Sequence, residues 1–207
     1  MADDDFNKGE YKNFPGNGED RAVYIFNPNS ESIFNTPDAM QEKNIGIALY
    51  NKPGYALEIL RNIVLGPDRF DYAFKTYIKR WAFKHPTPWD FFRTMDNAAG
   101  EDLSWFWKSW FLKNYKLDQA IILVKNDEIN GALVTLINLE QMAMPVLLHY
   151  ETVSGKTGDL KLPVEIWNNK TEFVVRIPEK EEIKLVVIDP DKTLPDLNFY
   201  NNIWEFK

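Results

Sequence analysis

Cysteine is absent from the 207 residues, which excludes disulfides, thiolate metal ligands and cysteine nucleophiles together and leaves the redox compartment open. Histidine is nearly absent. His85 and His149 stand far apart in unlike local contexts, too few for a histidine-based metal centre, and no HExxH pair occurs. A G-x-S-x-G elbow, a glycine-rich phosphate loop and an EF-hand loop are missing as well. Basic charge is scarce. Asp+Glu 31 against Lys+Arg 24 gives a formal charge of -7, which argues against nucleic acid as a partner because no field is left to hold a phosphate backbone. No run approaches the roughly 18 to 20 consecutive apolar residues that a membrane span needs. The opening MADDDFNKGE is acidic where a secretory signal is basic and then apolar.

What is present is enough apolar material, 44% of residues, for one ordinary domain or two small ones. Residues 1–44, with NFPGNGED, NPNSES and FNTPD, lack helical or strand periodicity and read as an irregular segment. From Lys52 the apolar residues Ala56, Leu57, Leu60, Ile63 and Val64 fall on one helical stripe, stopped by Gly66. Pro67 starts a second helix carrying Phe70, Ala73, Phe74, Tyr77 and Trp81. Thr87, Pro88 and Asp90 form a capping signature for a third helix that ends at Gly100, and Leu103, Phe106, Trp107, Trp110 and Phe111 mark a fourth. After Tyr115 the period changes to two. Strands are predicted over residues 119–125, 132–138, 145–153, 160–167, 172–177 and 183–188, with Asn130-Gly131, residues 154–158 and residues 168–170 as turns. The fold class that follows is α+β: a helical lobe over residues 45–116, then a small antiparallel β-sandwich, Ig-like in type, over residues 117–207. No flexible tether separates the two, so Trp110 and Phe111 are expected at a packed seam.

Isolated polar features read as structural. His85 lies in a proline-flanked loop and His149 on the outward side of a strand; Glu101 with Asp102 and Asp189 with Asp191 sit where carboxylates cap or turn. The aromatic run from Trp81 to Phe111 reads as core for short helices, with an open stacking platform as the alternative.

Tyr50-Asn51-Lys52-Pro53-Gly54, followed by Leu57, Leu60, Arg61, Leu65 and Gly66, resembles the Tyr-x-Lys-Gly segment of the gluzincin aminopeptidases, the aminopeptidase N-like zinc peptidases. The likeness continues through Phe83-Lys84-His85-Pro86-Thr87-Pro88, Asp90-Phe91, Asp102-Leu103, Trp105-Phe106 and Trp110-Phe111. It extends into Met144-Pro145-Val146, Leu162-Pro163-Val164 and Asp189-Pro190-Asp191, so that it covers about residues 45–202. Pro53 is a departure, since many members carry glycine there. The larger departure is that the HExxH helix and the zinc glutamate would lie upstream by more residues than precede Tyr50.

The resemblance therefore implies a C-terminal fragment of such a peptidase, inactive alone. It would have no cofactor in this chain, zinc in the complete protein, and two partners: the missing N-terminal catalytic half and a peptide substrate. Tyr50 would stabilise the oxyanion as an un-ionised phenol, while Lys52 takes no catalytic role. A fragment would also leave bare whatever Phe26, Ile33 and Phe34 once covered. The competing reading is a noncatalytic module binding a peptide, glycan or protein.

Overall fold

The computed structural model describes residues 16–127 and 131–206. Its first element corrects the reading of residues 1–44 as irregular. Helix α1, Gly18–Ile25, opens on a capping box in which Asn17 Oδ1 accepts from the Asp20 amide (3.2 Å) and Asp20 Oδ2 from the Asn17 amide (3.1 Å). Ala22, Ile25 and Phe26 are buried in the helical core, so the face that Phe26 covers is not left bare. Ile33 packs against that core, while Phe34 is 42% exposed. Asp3, Asp4, Asp5 and Asn130 lie outside the described residues.

A one-turn 3₁₀ helix, Pro37–Ala39, leads to α2, Glu42–Gly46. The chain then passes through a π turn, Ile47–Asn51, into α3, Lys52–Ile59, and through a second π turn, Leu60–Leu65. Gly66, at φ 82°, ends it and Pro67 begins α4, Pro67–Trp81. Helix α5, Pro88–Ala99, has the Thr87/Asp90 capping box and a left-handed Gly100 at its end. Helix α6, Ser104–Trp107, continues as a third π turn, Lys108–Leu112.

Among the described residues seven strands follow in two antiparallel sheets, stacked as a β-sandwich. β1 (Gln119–Lys125), β2 (Ala132–Asn138) and β5 (Glu172–Ile177) form one, in the order β1-β2-β5. β3 (Val146–Thr152), β4 (Thr157–Leu162), β6 (Ile183–Ile188) and β7 (Ile203–Glu205) form the other, in the order β4-β3-β6-β7. β2 and β3 alternate buried and half-buried residues; Val134 and Leu136 of one sheet share a core with Val146, Leu148, Val186 and Ile188 of the other. The strand expected over residues 160–167 starts earlier and stops at Leu162. Pro163 has no amide to continue a ladder, and Val164–Trp167 turn as 3₁₀ helix.

Helices and sandwich share the helical core. Trp110 is fully buried in one cluster with Leu117, Met142, Met144 and Leu194 from the strand half. Three side-chain bonds hold the Met142 to Met144 stretch there: Asn138 Nδ2 to the Met142 carbonyl (3.1 Å), and Gln119 Nε2 (3.0 Å) and Trp167 Nε1 (2.9 Å) to that of Met144. Asp196 ties β1 to the C-terminal loop by accepting from the Gln119 and Asn198 amides, both at 2.8 Å. Burial nevertheless pushes its carboxyl up to about 6.

Candidate functional site

Tyr50 sits in the π turn between α2 and α3, a local widening by one residue that recurs at functional sites. Its side chain is 72% exposed and makes no hydrogen bond to any described residue. The hydroxyl is therefore free to donate to something outside the chain. Among the described residues no group of three or more His, Asp or Glu side chains is placed to hold a metal ion, so the residues present do not fit a zinc centre. His85 is exposed in its loop. His149 points outward as expected and pairs across β3 and β4 with Asp159, Nδ1 to Oδ1 at 2.7 Å.

A second tyrosine on the same helical run provides the contrast. Tyr55 is 4% exposed, its hydroxyl donates to the Thr193 carbonyl, and the Arg21 guanidinium lies 4.3 Å over its ring. Arg21 in turn pairs with Glu58 at 2.9 Å. Burial raises the Tyr55 phenol far above the usual range. These groups line a crevice of about 160 Å³ between α1, α3 and the loop at Asp191 to Thr193, and Tyr50 does not line it. Tyr55 thus bolts α3 to the sandwich, and Tyr50 remains the tyrosine of this run with an open hydroxyl.

Lys52, two residues on, is the reverse of a surface lysine. It is 1% exposed, and its Nζ donates to Asn114 Oδ1 at 3.0 Å. Asn114 Nδ2 is committed to Ser30, with 2.8 Å to its carbonyl and 2.9 Å to its hydroxyl. Among the described residues no carboxylate pairs with the amine, and burial lowers its pKa to about 8. The unfolded chain, with lysine near 10.5, binds more protons than the native state between about pH 8 and 10.5. The cost of burying the charge is thus complete below pH 8 and is relieved as pH rises through that window. By the 1.36 kcal/mol per unit rule this cost is on the order of 3 kcal/mol. Urea unfolding of wild type and Lys52→Met at pH 7 and pH 10 should show wild type gaining on the variant at the higher pH. Equal pH dependence of the two proteins would show that the amine is not desolvated.

Sequence reasoning missed Lys52 and Tyr55 as structural anchors. The spacing held a weak signal, because Lys52, Tyr55, Ala56 and Ile59 fall on the buried side of α3. The aromatic run is core in the main: Phe92, Phe106, Trp107, Trp110 and Phe111 are buried. Phe92 stacks on Trp107 at 4.7 Å between ring centres. Two members depart from that reading, since Trp89 is 45% exposed and Phe83, at φ 61°, is fully exposed.

No family model matches the chain, and no curated protein matches it. Solved structures do. Among them is Legionella pneumophila aminopeptidase A, determined in complex with aspartic acid, which is 16% identical with a TM-score of 0.57. The match covers 82% of this chain and 20% of that one, so the chain spans about a fifth of the length of the aminopeptidase it resembles in fold.

Proposed function

We propose that this chain is the C-terminal part of a zinc-dependent aminopeptidase-like metallopeptidase, with Tyr50 the donor that stabilises the oxyanion of the scissile carbonyl. The observation that carries the reading is the free, outward hydroxyl of Tyr50 on a fold similar to a fifth of an aminopeptidase. A phenol suits the task because it stays un-ionised near neutral pH and donates to developing negative charge without bearing any. The metal ligands and the water-activating carboxylate belong, on this reading, to the part of the protein that this chain lacks. The peptide substrate would enter between that part and the turn bearing Tyr50.

The test compares this chain with the complete product of its gene after dialysis, by zinc content and by hydrolysis of aminoacyl amides. The complete product should retain stoichiometric zinc and hydrolyse them, and the isolated chain should do neither. A complete product that contains no HExxH pair, or that retains no zinc, would remove the peptidase reading.

A further inference from the structure

The amine of Lys52 is buried without a carboxylate partner among the described residues, in a place where a methionine would fill the same space at no charge cost. Its surroundings give that amine a specific task. Asn114 Nδ2 donates to both the carbonyl and the hydroxyl of Ser30, which fixes the orientation of the amide and leaves Oδ1 turned toward Nζ. The acceptor therefore needs a donor at this point, and an apolar side chain supplies none. The main chain of the same residue matters equally, because the Lys52 amide donates to the Ile47 carbonyl and so closes the π turn that carries Tyr50. A π turn is a poorer arrangement than the α-helix on either side, and this one spans five residues of which Ala48 is the buried member. Lys52 thus closes the turn through its amide and is tied to Asn114 through its amine.

We infer that Lys52 is a positioning residue for Tyr50: its side chain, anchored through Asn114 to Ser30, locks the π turn and sets the direction in which the phenol projects. The functional meaning of this tether rests on the peptidase reading above; the tether itself is a property of this chain. The anchor draws on three separated segments, at Ser30, at Lys52 and at Asn114 just past the third π turn. Loosening it should free the turn without unfolding the protein.

Amide hydrogen exchange of the 207-residue chain tests this, with wild type, Lys52→Met and Asn114→Ala compared. The expected result is a protection loss of roughly tenfold, the equivalent of one hydrogen bond, confined to residues 47–52 and the neighbourhood of Ser30 and Asn114. Protection of Val134 and Leu136 in β2 should be unchanged, and the urea midpoint of Lys52→Met should be no lower than that of wild type, because a buried charge has gone. Local loosening together with undiminished global stability is a pattern that a residue serving only to fill space cannot give. Asn114→Ala cuts the same tether with the lysine kept, so the test survives if Lys52→Met does not fold. Unchanged protection at residues 47–52 in the folded variants, or an equal fall across both cores, overturns the inference. In the complete protein the variants should lower kcat with KM retained. If wild-type complete protein hydrolyses nothing while the local loss is seen, the peptidase reading fails and the tether stands.

Discussion

Trp110→Ala should lower the stability of helices and sandwich together, by roughly 3 to 5 kcal/mol, in a single calorimetric transition. The indole is fully buried, meets Tyr55 edge-on at 6.0 Å and Phe106 at 5.9 Å, and shares its cluster with Leu117, Met142, Met144 and Leu194. Truncation therefore opens a cavity at the point where residues of both halves meet, and neither half can collapse into it without moving the other. Trp110 Nε1 has no hydrogen-bond partner among the described residues, so Trp110→Phe loses packing volume but no described hydrogen bond and should cost less than the alanine variant. Two separated transitions, with only one displaced by Trp110→Ala, would show that the halves unfold independently.

Tyr50→Phe is expected to act on chemistry and leave folding alone. At 72% exposure and without a described hydrogen bond, the hydroxyl contributes within about 0.5 kcal/mol to stability, so the isolated variant chain should melt with wild type. On the proposed peptidase reading, the same change in the complete protein would remove one oxyanion donor. Such losses lower kcat by about 10²- to 10³-fold, with KM little altered because the donor acts on charge that develops only in the transition state. Steady-state hydrolysis of an aminoacyl amide is the measurement. A kcat retained within a factor of two in an active complete protein would take Tyr50 out of the mechanism.

The helices and strands most legible in the sequence are those whose ends are fixed by local chemistry. Thr87 with Asp90, Gly66 before Pro67, and Gly100 each specify a terminus through a bond or a backbone angle that neighbouring residues alone determine, and each is found as read. Helix α1 was missed although Asn17 and Asp20 form a capping box. Eight residues provide too short a window for periodicity to stand out, and the helix is held by contacts with Glu58 and Lys192, far away in the chain. The π turns leave no comparable mark, since one extra residue per turn only shifts a stripe that tertiary packing then selects. Strand β7 is three residues long and is defined by β6 beside it, not by its own pattern. At the candidate site Tyr50 is named through the resemblance alone, whereas the surroundings of Lys52 beside it left no mark in the sequence. A lysine two residues away is expected in water, and only the assembled fold shows it turned inward to Asn114.

The attachment of α1 has a kinetic consequence. The Gly18 amide donates to the Lys192 carbonyl at 2.6 Å, and a Cβ at Gly18 would lie 2.0 Å from the Leu194 carbonyl oxygen, so the helix is seated directly on that loop. Glu19 also pairs with Lys192, a contact between residues 173 positions apart. Helix α1 leaves the ribosome long before the loop that receives its N-terminal end exists, and that end cannot be seated until the β6 end of the sandwich has formed. Contacts of such span are slow to close, because the entropy of the intervening chain is lost before they form. The docking of the Gly18 end of α1 should thus be among the last events in folding. Until it happens that end of the helix lacks its seat and is open to proteolysis, although Ala22, Ile25 and Phe26 can already pack on the helical core.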